Sequence, residues 1–482
     1  MKADVVIGLE IHIQLMTKAK MFCQCSTDYI GKEPNTNTCP VCLGLPGSLP
    51  VLNKKVLEFA IRTSVALNCK INQVSRFHRK NYFYPDLPKA YQISQYDTPL
   101  GINGYMEISL SESKEKRKIG ITRVHIEEDA GKLVHEGDIA SSSYSLVDYN
   151  RCGIPLAEIV TEPDLCSPEE AQIFLVKLRS IVQHLEVCDG NMEEGSIRCD
   201  ANVSLKDAKT GNLGTKVEIK NMNSFKAVKK ALQFEIDRQK RLLAEGKKII
   251  QETRHWNESK NITISMRSKE EAHDYRYFPE PDLLPLKIDL KITDEIRKSL
   301  PELPEARRKR FIKDYKIPEY DTEILTSSKV LGDYYEKAAS SYSNKKVLSN
   351  WIMGELIRYL NEEKIEIEDS PVSPEKLVGM LKLMDEGLIS GKMAKDVFEK
   401  MFKTGKDASQ IVKESGIVQI TDEDKLFEVV DKVIKENPGS VNDFNKGREK
   451  ALNYLVGQVM RYTKGRAKPD FVFKAIKQRI KE

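Results

Sequence analysis

The apolar residues of this chain change period once along its length, and that change limits the fold more than any other feature. Up to about residue 290 they alternate, with Gly, Pro and Asn turns between the alternating stretches. Residues 5–15 set the pattern. Val5, Ile7, Leu9, Ile11 and Ile13 fall on one side of an extended chain, and Gly8, Glu10, His12 and Gln14 on the other. Further strands are expected at 104–110, 119–127, 155–161, 196–205 and 215–220, with helices at 54–67, 168–186 and 224–244. Strands and helices mixed without a βαβ rhythm predict an α+β domain on an antiparallel sheet. After Pro285 and the punctuation Pro301-Glu302-Leu303-Pro304, apolar spacing of three and four predicts helices at 347–363, 374–386, 390–402 and 421–435. The expected division is a sheet domain over 1–293, a helical domain over 294–408, and a small helical tail domain over 409–482 behind Thr404-Gly405-Lys406.

With 482 residues, 40% hydrophobic and 31% charged, the chain can bury several cores and is not of the disordered class. No apolar run approaches the ~20 residues that cross a bilayer, and the N-terminus lacks a signal-peptide apolar block. A soluble, cytoplasmic protein with no membrane role is expected. The net charge of +5 is too small to mark a nucleic-acid binder. Its distribution says more: from Lys446 to Glu482 there are 11 Lys/Arg against 3 Asp/Glu. Lys446, Arg448, Lys450, Arg461, Lys464 and Arg466 are the candidate phosphate contacts; a solvated basic tail is the alternative.

Chemistry is concentrated in the alternating part. Glu10 and His12 share the polar side of an otherwise apolar strand, which suits a hard divalent cation or an acid–base pair; the bland reading is the solvent side of an edge strand. His125-Ile-Glu-Glu-Asp129 ends a strand in three acids, and Glu158 stands between apolar neighbours. A buried carboxylate needs a partner, and Glu10, Glu128 and Glu158 would suffice for Mg²⁺. In Gly195-Ser-Ile-Arg-Cys-Asp-Ala-Asn-Val-Ser204 the residues Ser196, Arg198, Asp200, Asn202 and Ser204 share one face. Arg198 there could clamp phosphate and Asp200 a second metal. Lys216, Glu218 and Lys220 repeat the pattern. Several strands with charged faces describe a cradle, and since no Walker-type loop is present, a nucleotide would be held by strand side chains. Basic and aromatic residues interleave from Arg76 to Gln92, as they do where phosphate contact and stacking combine; aromatics buried under a loop are the alternative. Asn81-Tyr-Phe-Tyr-Pro-Asp-Leu-Pro is echoed by Tyr275-Arg-Tyr-Phe-Pro-Glu-Pro-Asp, either as equivalent turns of a duplicated core or by coincidence.

Nine cysteines are present, and four of them form two close pairs, Cys23-x-Cys25 and Cys39-Pro-Val-Cys42. In a cytosolic chain two such pairs fit a tetrahedral structural Zn²⁺, although the first spacing is unusual.

Val6-Ile-Gly-Leu-Glu-Ile-His12, Asn37-Thr-Cys-Pro-Val-Cys-Leu-Gly-Leu-Pro-Gly-Ser-Leu-Pro50, Arg79-Lys-Asn-Tyr-Phe-Tyr-Pro-Asp86, His125-Ile-Glu-Glu-Asp-Ala-Gly-Lys132, Asp274-Tyr-Arg-Tyr-Phe-Pro-Glu-Pro-Asp282 and Leu455-Val-Gly-Gln-Val-Met460 resemble the B subunit of the aspartyl/glutamyl-tRNA(Asn/Gln) amidotransferase, over the whole chain. The resemblance implies a cradle similar to the glutamine synthetase and guanido-kinase catalytic fold, then a helical domain and a tail domain that contacts tRNA. It implies ATP-dependent phosphorylation of the side-chain carboxylate of glutamate on tRNA(Gln) or aspartate on tRNA(Asn). Ammonia from a glutaminase partner, the amidase A subunit, then displaces phosphate, with a small C subunit holding the two together. On this resemblance Mg²⁺ falls to His12, Glu128 and Glu158 with Glu10, and the grip on phosphate or carboxylate to Lys80, Arg198 and Lys220. The four cysteines match the zinc-bearing branch. Two other classes remain open from the sequence: a stand-alone ligase acting on free amino acids, and a non-catalytic zinc-bearing tRNA adaptor.

Overall fold

The computed structural model describes residues 4–109, 116–135, 144–206, 211–268, 275–415, 423–446, 448–463, 467 and 469–481. The chain divides into two compact units, Met1–Pro304 and Glu305–Glu482. The described strands of the first unit are β1 (Val5–Gln14), β2 (Lys70–Ile71), β3 (Val74–Ser75), β4 (His78–Asn81), β5 (Tyr91–Ser94), β6 (Gly101–Ser109), β7 (Lys116–Glu128), β8 (Lys132–His135), β9 (Ser145–Asp148), β10 (Pro155–Thr161), β11 (Ile197–Leu205), β12 (Val217–Lys220), β13 (Glu252–Asn257), β14 (Ile262–Ser268), β15 (Phe278–Pro279) and β16 (Leu286–Lys287). Its helices are α1 (Pro40–Leu43), α2 (Lys54–Ala66), α3 (Pro168–His184), α4 (Phe225–Ala244) and α5 (Leu290–Ser299).

Nine strands form one sheet in the order β14-β13-β12-β11-β1-β10-β7-β6-β2. Every neighbouring pair is antiparallel except β12 and β13, which run parallel. The expected antiparallel sheet is therefore a mixed one, with a single parallel step after the long helix α4. β1 is central rather than an edge strand. Ile7, Leu9, Ile11 and Ile13 are at most 1% exposed, each contributing roughly 1.5–3 kcal/mol of burial. Helices α2, α3 and α4 pack on the sheet, and α5 packs on α2. Two of these helices start on serine caps: Ser167 accepts from the Glu170 N–H and Ser224 from the Ala227 N–H, satisfying donors that would otherwise be orphaned.

The echoing segments touch at one end. β15 pairs with β4 in a separate three-stranded sheet with β5. The Asn81 N–H donates to the Tyr275 carbonyl at 2.9 Å, and Arg79 holds Glu280 at 2.8 Å. The two segments thus meet where Asn81 ends β4 and Tyr275 leads into β15.

In the second unit the described residues are helical and carry two separate apolar clusters. One runs from Phe311 to Val412. The other joins Leu426, Val430, Leu452, Leu455, Val459, Val472 and Ile476. Within the first, Phe311–Tyr315 and Ile352–Leu356 are π-helical turns, so the helix expected at 347–363 carries a one-turn irregularity. No helix among the described residues is long and apolar enough to cross a membrane.

Candidate active site and cysteine cluster

The site follows from register. In the central sheet Arg198 of β11 pairs with His12 of β1, His12 with Glu158 of β10, and Glu158 with His125 of β7. Four adjacent strands thus set four polar residues in one row, and alternation keeps the intervening apolar residues on the helix-covered side. One step along, Asp200 faces Glu10, and Glu218 of β12 lies beside Asn202.

The side chains converge accordingly. His12 Nε2 lies 3.2 Å from Glu158 and 3.4 Å from Glu127. His125 Nε2 lies 3.4 Å and 3.7 Å from the same two carboxylates, and the Ser94 hydroxyl donates to Glu127 at 3.0 Å. Burial opposes the charge of His12, but its bonds to Glu127 and Glu158 outweigh that and raise its pKa to about 10. Burial likewise opposes the Glu158 charge, which the neighbouring His125 and the bond from His12 nonetheless hold at about 2. Glu10 is pushed up by burial and by the charge of Glu158.

Glu128, expected beside His12, stands elsewhere. Adjacent residues on a strand face opposite ways, so the place falls to Glu127. Glu128 instead pairs with Lys89 and accepts from the Ile93 N–H at 2.9 Å. The signal was present in the sequence: His125 and Glu127 sit two apart, as Glu10 and His12 do. Ligand atoms of Glu10, His12 and Glu158 fall within 4.8 Å of one another, and so do those of His125, Glu127 and Glu158.

Cations line the same face. Arg198 donates to Asp129 at 2.7 Å, and its Nε is buried with no hydrogen-bond partner among the described residues. Asp129 is steadied by Gln14 at 3.3 Å. Lys220 pairs with Asp200 and stands 3.5 Å from Glu218. Lys80 lies over the Tyr275 ring at 5.0 Å; burial opposes its charge, yet the nearby Glu127 holds its pKa above the ordinary value. A cavity of about 470 Å³ opens beside Glu10, bordered by Gly8, Asn202, Ser204 and the exposed Lys216.

Cys23, Cys25, Cys39 and Cys42 bring their sulfurs within 4.8 Å of one another. Of the second pair, Cys39 caps the short helix α1 and Cys42 lies within it, and the Cys39 N–H donates to Cys42 Sγ at 3.1 Å. Gly44 ends that turn at φ 66°, a left-handed conformation that favours glycine. The bond from Cys23 lowers the Cys42 thiol to about 5 against the effect of burial. In the tail, Lys446, Arg448, Lys450 and Arg461 are exposed, and Arg448 meets Asp443 at 3.2 Å. Lys464 and Arg466 lie outside the described residues.

A mixed sheet that gathers acids, imidazoles and cations on its central strands, followed by helices, is here the architecture of an amidotransferase B-type subunit. The family described as the GatB/GatE catalytic domain matches residues 5–294, and that described as the GatB domain matches residues 333–480. The chain belongs to the family of aspartyl/glutamyl-tRNA(Asn/Gln) amidotransferase B subunits. The family's relative from Carboxydothermus hydrogenoformans is 57% identical over 99% of this chain and 98% of its own length. That from Caldanaerobacter subterraneus is 58% identical over the full length of both, and that from Thermodesulfovibrio yellowstonii 53% identical over the full length of both.

Proposed function

We propose that this chain phosphorylates, with ATP, the side-chain carboxylate of glutamate on tRNA(Gln) or aspartate on tRNA(Asn), so that ammonia from the glutaminase partner, the A subunit, can displace phosphate and leave the amide. The observation that carries the reading is the row Arg198, His12, Glu158 and His125 across four strands, with Glu127 closing it. The residues fit a hard cation: two buried carboxylates and two imidazoles share one space, and the oxygens are the donors Mg²⁺ prefers. His12, Glu127 and Glu158 would hold Mg²⁺, with Glu10 at the neighbouring position. Bound there, Mg²⁺ would neutralise charge on the transferring phosphoryl group.

The chain's own residues do the rest. The cavity beside Glu10 has the size of a nucleotide site, with Lys216 at its rim. Asp129 fixes the Arg198 guanidinium, whose partly exposed side chain can meet a phosphate or carboxylate oxygen. Lys80 and Lys220 supply positive charge on either side of the row, and Asp200 with Glu218 forms a second acidic position. The polar face of the antiparallel strands supports the likeness to the glutamine synthetase and guanido-kinase fold. Two separate apolar clusters after residue 304 support a helical domain followed by a tail domain. The exposed basic side chains of that tail support tRNA contact, and the four converging thiols support structural Zn²⁺. The reading is completed by a cytoplasmic site and a small C subunit.

The test is the chain reconstituted with its partner subunits on Glu-tRNA(Gln) and Asp-tRNA(Asn). Amide formation that requires ATP, is lost in Glu158→Gln and leaves glutaminase activity in place supports it. Absence of ATP turnover would favour the adaptor, and glutamine made from free glutamate the stand-alone ligase.

A further inference from the structure

Lys20 is 0% exposed, an unusual place for an ammonium group. Among the described residues no carboxylate lies within 4.0 Å of it. Its Nζ donates to the Asn37 carbonyl at 2.8 Å and lies 3.9 Å from Cys42 Sγ. The carboxylate across Gly153, Glu128, stays beyond salt-bridge distance; its Oε1 is engaged by Lys89 and the Ile93 N–H, and its Oε2 lies on the Gly153 side, so it offsets the ammonium only from a distance. A buried charge without a counter-ion costs several kcal/mol, so an anion belongs beside Lys20. The group placed to supply it is the cysteine cluster. A zinc ion held by four thiolates would carry two net negative charges, and of its cysteines Cys42 is buried and the other three half-buried.

We propose that Lys20 is the counter-cation of the tetrathiolate zinc site, a positioning residue that holds the Cys42 thiolate on the metal and slows zinc loss. This rests on the zinc reading of the four cysteines. With its Nζ 3.9 Å from Cys42 Sγ, the ammonium would offset the negative charge that four thiolates bring to a bound zinc and so favour the loaded site. The Asn37 carbonyl fixes the lysine from the loop between the two cysteine pairs, so cation and ligands are tied by the same segment. Partners of this kind around metal ligands typically change affinity by about 10–100-fold.

The experiment uses the full-length chain purified without chelator. Zinc content is measured first, then the rate of zinc transfer to a chromogenic chelator, for wild type, Lys20→Met and Lys20→Gln. Methionine keeps the length of the stem; glutamine keeps a donor for Asn37 if the methionine variant does not fold. Release at least about tenfold faster in the variants is expected. In a Cys42→His background, where the ligand beside Lys20 is neutral, the same substitution should change release by less than about threefold. In the cobalt-substituted protein, loss of Lys20 should move the thiolate-to-metal charge-transfer band to lower energy, which general loosening of the fold would not do. Wild type with zinc and variants with unchanged release and band overturn the role of Lys20 alone. Wild type that neither contains nor takes up zinc overturns the zinc reading with it.

Discussion

Glu127 and Glu128 are adjacent on β7 and serve opposite sides of it: Glu127 lies 3.4 Å from His12 Nε2, whereas Glu128 pairs with Lys89 and accepts from the Ile93 N–H. Two glutamine substitutions one residue apart should therefore fail differently. Glu127→Gln removes charge from the acid row and should lower kcat for ATP-dependent amidation by on the order of 10²–10³, with the glutaminase rate of the partner preserved. Glu128→Gln leaves the Lys89 ammonium buried beside an amide and should cost about 3–5 kcal/mol of stability, read by thermal denaturation. Equal amidation kcat for Glu127→Gln and wild type would remove Glu127 from the site.

The contrast also marks how far the sequence reaches. The alternation of residues 5–15 named the face carrying Glu10 and His12, because strand periodicity is local. Which of two adjacent acids meets His12 depends on where β7 starts its pleat against β10, and that register is set by pairing between residues 27 to 40 positions apart. His125 and Asp129 are visible as part of a motif, but their partners come from β10 and β11 and so only from the folded sheet. The pairing of Tyr275 with Asn81 joins segments nearly two hundred residues apart, so similarity of composition could not reveal contact. The burial of Lys20 has no sequence signal at all: a lysine beside a cysteine cluster looks like any surface lysine until the loop closes over it.

Zinc should be a structural cofactor of the first unit. One zinc per chain is expected in the natively purified protein. Cys39→Ser should release it and lower the melting temperature, since the binding energy of a structural zinc is folding energy. Elemental analysis and calorimetry with and without chelator check this. A wild-type melting temperature unmoved by complete chelation would show that the four thiols hold no structural metal.

In the second unit Arg307 is 4% exposed and binds Asp333 at 2.6 Å and also Glu336, which Arg310 holds at 2.5 Å. Burial raises both carboxyl pKa values, but Lys329 and Arg307 at Asp333, and Arg310 and Arg307 at Glu336, outweigh it and keep both below their ordinary values. Depressed folded-state values mean stability that is present above the unfolded values of about 4 and is lost as pH falls through the folded ones. The unit should thus lose stability below about pH 4. Arg307→Met should cost about 2–3 kcal/mol, less than for a fully buried pair because both carboxylates keep contact with water, and should flatten that acid slope. Gly332→Ala should act on the same network: a Cβ there would stand 2.8 Å from Arg307 Cζ, at a cost of about 1–3 kcal/mol. Denaturation curves of the three proteins between pH 3 and pH 7 decide it, and an acid slope unchanged in Arg307→Met would refute the assignment.

The tail offers the clearest separation of binding from chemistry. Ala408, Ile411 and Val412 pack in the first apolar cluster of the second unit, so a truncation at the expected boundary of 409 would damage that cluster. A chain ending at Ser415 keeps it and removes the second cluster whole. Lys446, Arg448, Lys450 and Arg461 are exposed around the helix Glu449–Tyr462, whose Leu452, Leu455 and Val459 face inward. Basic side chains arranged outside a packed core suit phosphates, which position a tRNA without reading its sequence. Truncation should therefore raise the apparent KM for tRNA while the glutaminase rate of the partner stays the same. Removing each phosphate contact should also reduce the salt slope of tRNA affinity by about 0.7–0.9. Replacing Lys450 and Arg461 together by alanine should lower that slope by nearly twice that amount and leave the melting temperature in place, because neither side chain is in the core. Identical salt slopes for full-length and truncated complexes would instead make this surface a docking face for another protein of the complex, since binding a protein through the same side chains would leave tRNA affinity untouched.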